Sequence, residues 1–180
     1  MKFTETRLKG AFIVEPDVFE DERGYFARTW SIPEFEKHGL DTRVVQCNTS
    51  YNRKKGTLRG MHFQRTPMVE VKLVRCTMGS IHDVILDLRP ESPTFKQWTA
   101  VVLTAANLKA LYIPERFAHG FQTLEDDTEV SYQVSQYYSP EHAAGVRWDD
   151  PAFAIEWPPE DARTISERDL SFPDFTEITW

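Results

Sequence analysis

Short segments that alternate apolar and polar residues constrain the fold of this chain more than any other feature of its sequence. Alternation with a period of two puts successive side chains on opposite faces of a β-strand. The 11 prolines and 8 glycines are scattered between these segments, as is typical of turns between short strands. The predicted strands comprise residues 11–15, 25–30, 44–50, 58–64, 71–77, 81–88, 98–103, 109–113, 120–124 and 129–134.

A few other local signals add to the strand pattern. Ser31 followed by Glu34 resembles a capping box that opens a short helix, and Gly39 is placed to end it. A second short helix is predicted around Thr164-Ile165-Ser166-Glu167. The turn Met78-Gly79-Ser80 joins two predicted strands closely enough to indicate a β-hairpin.

Many antiparallel strands in one chain predict a sandwich, a jelly roll or a barrel. We favour an all-β jelly-roll β-sandwich with a few short helices, because polar residues inside the strands suit a ligand cavity between two sheets. With 180 residues and 41% apolar content, the chain is predicted to form one domain over residues 1–180. A domain of this size needs no disulfide or metal to stabilise its core.

Charge and cysteine content restrict the partners and the compartment. The chain has 21 basic and 28 acidic residues, a net charge of -7, which argues against a broad nucleic-acid or membrane surface. A small anionic ligand remains compatible, since a few arginines in a cleft set the local sign. No long apolar run is present, so we expect neither a signal peptide nor a membrane span. Cys47 and Cys76 are expected to be buried thiols in a cytoplasmic protein.

The segment Leu58–Gln64 contains the first candidate for chemistry, His62. Strict alternation would put His62 on one face of the strand and Arg59 on the other. The two residues can share a site only if the strand bulges or twists between them, and Gly60 is where that would happen. A histidine in a strand also commonly serves packing alone, and that interpretation stays open.

Three further side chains are candidates for the same site as His62. Lys72 sits in an apolar strand and faces either solvent or a polar cavity. Tyr132 alternates with Val130 and Val134, so it is predicted to point inward, as a packed tyrosine or as an acid. His119 could contact a ligand or only pack. A base, a cation and a phenol together suit proton abstraction beside a carbonyl group.

The sequence does not favour a metal or a nucleotide cofactor for hydride or phosphoryl transfer. Jelly-roll metalloenzymes commonly carry a His-x-His pair, but His62 is followed by Phe63 and Gln64. A metal-dependent cupin such as a dioxygenase is therefore the less favoured alternative. The glycine-rich loops of the Walker and Rossmann motifs are lacking too, so we expect no metal and no cofactor.

Other residues are candidates for binding an anionic, aromatic ligand. Guanidinium groups match phosphate oxygens, although surface ion pairing is the commoner role of an arginine. The candidates for a pyrophosphate clamp are Arg23, Arg59, Arg75 and Arg168. Gln46 and Asn48 face together and can read the edge of a base, and the candidates for stacking on that base are Phe26, Tyr137 and Tyr138.

Several ordered segments together resemble one known family. They are Asp21-Glu22-Arg23-Gly24, Leu58-Arg59-Gly60-Met61-His62-Phe63-Gln64, Lys72-Leu73-Val74-Arg75, Asp87-Leu88-Arg89, Ser92-Pro93-Thr94-Phe95, Tyr112-Ile113-Pro114, Phe117-Ala118-His119-Gly120-Phe121, Tyr137-Tyr138-Ser139-Pro140 and Trp148-Asp149-Asp150-Pro151. The family is that of the dTDP-4-dehydrorhamnose 3,5-epimerases, also called dTDP-4-keto-6-deoxyglucose 3,5-epimerases. The resemblance runs in order from about residue 8 to residue 174.

This resemblance implies a metal-free, cofactor-free enzyme with a cupin jelly roll, which acts as a homodimer with exchanged N-terminal strands. It implies a dTDP-4-keto-6-deoxyhexose as substrate and a role in rhamnose synthesis for cell-surface polysaccharides. His62 is implied as the base, Lys72 as the enolate stabiliser, Tyr132 as the acid and Asp169 as the partner of His62. The implied substrate-binding residues are Arg23, Phe26, Gln46, Asn48, Arg59, His119, Tyr138 and Arg168.

Three positions depart from the family pattern. Arg28 and Ala143 stand where glutamate is usual, and Cys47 stands where aspartate is usual. None of them is the base, the cation or the phenol, but they bear on which base or sugar is recognised. An epimerase that acts at C3 only or C5 only therefore remains an alternative, as does a nucleotide-sugar binding protein without turnover.

Overall fold

The computed structural model describes residues 1–178 and 180. Its strands are β1 (Lys2–Glu5), β2 (Phe12–Glu15), β3 (Val18–Asp21), β4 (Gly24–Ala27), β5 (Gln46–Asn52), β6 (Leu58–Gln64), β7 (Lys72–Met78), β8 (Ser80–Asp87), β9 (Trp98–Thr104), β10 (Ala110–Ile113), β11 (Phe117–Thr123), β12 (Thr128–Val134) and β13 (Ala143–Gly145). The helices are α1 (Ile32–Glu36) and α2 (Glu167–Leu170). No helix among these residues is long and apolar enough to cross a membrane.

Two antiparallel sheets pack face to face. One has the strand order β1-β2-β10-β7-β12-β5 and the other the order β13-β6-β11-β8-β9, while β3 and β4 form a separate hairpin. Side chains that alternate along the strands meet between the sheets, as with Val74 from β7, Ile85 from β8 and Val130 from β12, each 0% exposed. The predicted all-β jelly-roll sandwich with short helices is confirmed.

Both outer faces of the sandwich are covered in part. The C-terminal segment packs Phe153 and Phe175 onto the outer face of the five-stranded sheet, against Val84 and Leu86 of β8. This cover explains why β8 carries buried apolar residues on both of its faces. On the other side of the molecule, α1 packs Phe35 against the outer face of the six-stranded sheet.

Some local predictions were wrong or inexact. The turn at Gly79 does not join a hairpin, because β7 lies in the six-stranded sheet and β8 in the other one. A short turn at the edge of a sandwich carries the chain between sheets as readily as it reverses a strand. The second helix begins three residues later than the predicted segment, at Glu167, with Ser166 as its N-cap. Strands β1, β3 and β13 were missed, being only three or four residues long.

Two residue-level predictions also need correction. Ser31 occupies the N-cap of α1, but its side chain makes no capping hydrogen bond, so the capping box is not formed. Cys47 is exposed on the outer face of β5, whereas Cys76 is buried, and both thiols are free. The prediction that both cysteines are buried is therefore wrong for Cys47.

Candidate active site

An open cavity lies between the two sheets at one end of the sandwich. It has a volume of about 380 Å³, and a neighbouring recess of about 180 Å³ shares three of its wall residues, His62, Lys72 and Tyr132. His62 comes from β6 of the five-stranded sheet, whereas Lys72 and Tyr132 come from β7 and β12 of the six-stranded sheet. The three residues predicted to carry the chemistry therefore share one cavity, which His62 enters from the opposite sheet.

The predicted irregularity in β6 brings Arg59 and His62 to the same recess. His62 pairs with His119 and Arg59 with Phe121, so three steps along β6 match two steps along β11. Gly60 absorbs the extra residue with a φ of +138°, a conformation that other residues rarely adopt. A Cβ at Gly60 would lie 2.5 Å from the Cα of Gly120, so only glycine fits.

The ring of His62 is held by a buried carboxylate. Nε2 of His62 lies 2.7 Å from Oδ1 of Asp169, and Asp169 is 4% exposed. The backbone N–H of Gly60 donates to the other carboxylate oxygen at 3.1 Å. Burial opposes ionisation of Asp169, but its hydrogen bonds with His62 and Gly60 outweigh burial and lower its pKa. This contact leaves Nδ1 of His62 as the ring nitrogen that can exchange a proton with a ligand.

The C-terminal segment positions this carboxylate. Asp169 lies in α2, whose N-cap Ser166 accepts a hydrogen bond from the Asp169 backbone N–H. Phe172 follows α2 and packs edge-on against His62, with ring centroids 6.2 Å apart. Gly145 of β13 makes room for it, because a Cβ there would lie 2.4 Å from the Phe172 ring. The histidine is thus fixed from two sides.

Lys72 points into the cavity and not to solvent, which decides between the two orientations that its sequence context allowed. The residue is 9% exposed, and its Nζ lies 3.1 Å from Oε1 of Glu70. The Glu70 side chain is itself only 12% exposed and lines the same cavity. A buried ammonium paired in this way can stabilise negative charge that develops on a bound ligand.

Tyr132 points inward, as its alternation with Val130 and Val134 predicted. Burial, the largest cause, raises the pKa of its phenol; the charge of Glu70 raises it further, and Arg59 acts in the opposite direction. The net shift is upward, so the hydroxyl remains protonated at neutral pH. Tyr132 can therefore donate a proton from the sheet opposite His62.

Basic side chains line the smaller recess and the adjoining part of the larger cavity. Nε2 of His119 lies 2.7 Å from Oδ1 of Asp83, which is fully buried. Nε of Arg59 donates to Oδ1 of Asn52 at 2.7 Å, and the amide of Asn52 is fixed by two backbone carbonyls. Arg168 lines the larger cavity. Together the three basic groups suit the oxygens of a diphosphate.

The larger cavity also contains the residues predicted to read a base. Gln46 and Asn48 of β5 line it, and Tyr138 lies at its rim with 58% of its surface exposed. The side-chain carbonyl of Gln46 accepts a hydrogen bond from the backbone N–H of Tyr138 at 2.8 Å. Gln46 therefore also fixes the loop that presents the tyrosine ring.

Three predicted binding residues lie outside the cavity walls. Arg23 and Phe26 are exposed on the β3–β4 hairpin, where Arg23 pairs with Asp21. Arg75 alternates with the core residues Val74 and Cys76, so its side chain points to the outer face of the six-stranded sheet. Arg75, a candidate for the pyrophosphate clamp, therefore does not line the cavity of its own chain.

Glu70, Asp83 and Asn52 were not predicted from the sequence. Two of them carried a usable signal: Glu70 lies two residues before Lys72, just ahead of β7, and Asp83 falls between the inward-facing Ile81 and Ile85 of β8. A carboxylate on an otherwise apolar strand face indicates a buried polar partner. Within residues 1–178 and 180, no group of three or more His, Cys, Asp or Glu side chains could hold a metal ion.

Comparisons with known proteins point to one family. The sequence model of the dTDP-4-dehydrorhamnose 3,5-epimerases matches residues 5–177. The dTDP-4-dehydrorhamnose 3,5-epimerase of Methanothermobacter thermautotrophicus is 45% identical over 178 residues, covering 98% of this chain and 95% of the relative. The crystal structure of the Bacillus anthracis dTDP-4-dehydrorhamnose 3,5-epimerase with TDP and PPi bound has a TM-score of 0.93 and 42% identity, and it covers 97% of this chain and 99% of its own.

A more distant structural relative has a narrower activity. ChmJ, a 3′-monoepimerase from Streptomyces bikiniensis solved in complex with dTDP-quinovose, has a TM-score of 0.87 and 31% identity. The match covers 94% of this chain and 85% of ChmJ. Because the family model and the 45% identical relative both extend over nearly the whole chain, the chain belongs to the dTDP-4-dehydrorhamnose 3,5-epimerase family.

Proposed function

We propose that the chain epimerises dTDP-4-dehydro-6-deoxy-D-glucose at C3 and C5 to give dTDP-4-dehydro-L-rhamnose. The observation that carries this proposal is the single cavity in which His62 faces Lys72 and Tyr132 from the opposite sheet. A base and an acid on opposite walls can remove a proton from one face of a planar centre and return one to the other face. That is the requirement for inverting a carbon.

The reaction proceeds by enolisation beside the C4 ketone. C3 and C5 both adjoin this ketone, so the protons on both carbons are acidic and the same residues serve both. Nδ1 of His62 removes the proton, Lys72 stabilises the negative charge on the ketone oxygen, and the Tyr132 hydroxyl protonates the opposite face. Asp169 keeps the ring of His62 oriented and stabilises its charged form.

The sizes of these effects suit the reaction. A positioned general base or acid contributes about 10²–10⁴-fold in rate. A preorganised charged donor at the developing oxyanion adds a further factor, worth about 3–4 kcal/mol for one donor in well-studied enzymes. Each step is a proton transfer, and the chain supplies a group for each proton.

The substrate is held through its nucleotide. Arg59, His119 and Arg168 are proposed to bind the diphosphate, since their positions surround the recess and the cavity mouth. Gln46, Asn48 and Tyr138, which line the larger cavity, are proposed to bind the base. The relatives solved with TDP and with dTDP-quinovose support a nucleotide sugar as the ligand.

We also propose a homodimer in which the N-terminal strands are exchanged. Arg23 and Phe26 are the residues that argue for it, because the family resemblance assigns both to the substrate site and neither lines the cavity of its own chain. The hairpin that carries them exposes Phe19, Tyr25 and Phe26 by 60% or more of their surface. A second chain would cover these rings and receive Arg23 in its own cavity.

Two free thiols support the cytoplasm as the compartment.

Proton NMR of dTDP-4-dehydro-6-deoxy-D-glucose in D₂O with the purified protein tests the proposal. We expect deuterium to enter at both C3 and C5. Entry at one carbon only would establish a monoepimerase, and stoichiometric iron or zinc without exchange would indicate a metal-dependent cupin instead. The matched control is His62→Ala, which is expected to abolish exchange while calorimetry shows dTDP affinity within a few-fold of wild type.

A further inference from the structure

Glu70 is a mostly buried carboxylate in the active-site cavity, and the proposed reaction gives it no role. It lies two residues before Lys72, in the segment that leads into β7, and both residues line the cavity. Their charged atoms are 3.1 Å apart, and their side chains are 12% and 11% exposed. Two charges withdrawn from water to this extent form a close pair and not a loose surface contact.

The pair fixes where the ammonium of Lys72 lies. A lysine side chain has a flexible four-carbon stem and three rotatable N–H donors, so burial alone does not define its direction. One donor bound to Glu70 sets the position of Nζ and leaves the other two for a ligand. The carboxylate also offsets the cost of burying the ammonium charge.

Glu70 is in turn held by the wall of the cavity. Nε2 of Gln64 lies 3.4 Å from Oε2 of Glu70, a long contact, and donates to the backbone carbonyls of Met68 and Tyr137 at 2.9 and 3.1 Å. Oε1 of Gln64 accepts from the backbone N–H of Ser139 at 2.7 Å. The buried amide thus ties the segment that carries Glu70 to the loop that presents Tyr138.

We infer that Glu70 is a positioning residue that holds the Lys72 ammonium at the site of the enolate oxygen. This inference rests on the proposed function, because it concerns the charge that develops during that reaction. Glu70 acts through Lys72 and need not touch the substrate. The other titratable or charged groups that line the same cavity and recess are Arg59, His62, His119, Tyr132, Tyr138 and Arg168.

A double-mutant cycle between Glu70 and Lys72 tests the inference. The variants are Glu70→Gln, Lys72→Met and the double variant, and Glu36→Gln on the exposed face of α1 serves as the carboxylate control. The readout is the rate of deuterium exchange at saturating substrate, together with dTDP affinity and the melting temperature. Gln keeps the shape and the acceptor oxygen of Glu while removing its charge.

We expect Glu70→Gln to lower the saturated exchange rate by about tenfold or more in the wild-type background and by less than about twofold in the Lys72→Met background. The affinity for dTDP stays within about threefold, since the effect is on the developing charge. Glu36→Gln changes none of these quantities.

Three outcomes would overturn the inference. An unchanged rate for Glu70→Gln would show that the carboxylate is not needed, and an equal loss in both backgrounds would give Glu70 a role independent of Lys72. Loss of cooperative melting in Glu70→Gln would make its role structural. Failure of the proposed function is distinguishable from all three, because the wild-type protein itself would then show no exchange.

Discussion

His62 and His119 are direct cross-strand partners on β6 and β11, and each ring has Nε2 at 2.7 Å from a buried carboxylate. The carboxylate of His62 comes from the C-terminal segment, as Asp169, while that of His119 comes from the adjacent strand β8, as Asp83. The structure thus contains two adjacent histidine–carboxylate pairs of the same kind. In the proposed function one ring moves protons and the other binds phosphate.

Removing these carboxylates one at a time is expected to affect different steps. Asp169→Asn should lower the saturated exchange rate on the order of 10²-fold, because the base loses its orientation and the partner of its charged form. Asp83→Asn should instead weaken dTDP binding and leave the saturated rate nearly unchanged. Calorimetry with dTDP and exchange in D₂O measure the two effects, and a common effect of both variants on one step would contradict the assigned roles.

Tyr132→Phe should separate proton removal from inversion. His62 can still remove a proton and return a deuteron to the same face, whereas the opposite face has lost its donor. Deuterium should therefore appear in the starting sugar, while formation of the inverted product falls by about 10²–10⁴-fold. NMR of one sample follows both quantities. Equal loss of exchange and inversion would remove Tyr132 from the role of acid.

Mixed dimers test whether Arg23 acts in the partner's cavity. His62→Ala and Arg23→Ala chains are each expected to form nearly inactive homodimers. Random mixing makes half of the dimers hybrids, and each hybrid has one site with both residues intact, so about a quarter of the wild-type activity should return. Co-expression with two affinity tags isolates the hybrids. No recovery in a purified hybrid would mean that Arg23 serves its own chain or neither.

Asp87 is expected to stabilise the fold without contributing to the active site. It is fully buried and accepts hydrogen bonds from Arg89, Ser92 and Thr94. Burial opposes ionisation, but these bonds outweigh it and lower the pKa of Asp87. Asp87→Asn should therefore lower the free energy of unfolding by about 3–5 kcal/mol at pH 7, because the surrounding donors lose their negatively charged acceptor.

The pH dependence of this loss has a defined sign. Folding lowers the pKa of Asp87. Its carboxylate therefore contributes fully to the stability of the fold above its pKa in the unfolded chain, about 3.9, and this contribution disappears as the pH falls through the lower pKa in the folded protein. The difference in the free energy of unfolding between wild type and Asp87→Asn, measured by urea unfolding, should therefore shrink below about pH 3.9. Asp149→Asn, which removes the half-exposed partner of Arg147, serves as the control and should cost less than about 1 kcal/mol.

Local sequence patterns predicted most strands, but they could not decide which wall a side chain enters. Alternation gave the inward direction of Tyr132, and Gly60 marked where β6 departs from strict alternation. The same pattern was ambiguous for Lys72, because a strand residue flanked by Val71 and Leu73 faces either water, the commoner case, or a polar cavity. Its orientation depends on which sheet packs opposite, which is a long-range property.

Contacts between distant segments were beyond local reasoning for the same reason. The partners His62 and Asp169 are 107 residues apart in the chain, and only the family resemblance connected them. The wrong hairpin at Gly79 has a similar origin, since a tight turn does not reveal whether the next strand joins the same sheet. Arg23 is the extreme case, because its proposed site belongs to another copy of the chain.

The docking of the C-terminal segment on the sandwich has a consequence for protein synthesis. A nascent chain can pair all the strands of both sheets once Gly145 has left the ribosome, yet Asp169 and Phe172 are still to come. Until they arrive, His62 has neither its carboxylate nor its aromatic neighbour. The sheets can thus assemble around an imidazole that still lacks its carboxylate, which joins it only after residues beyond β13 have emerged.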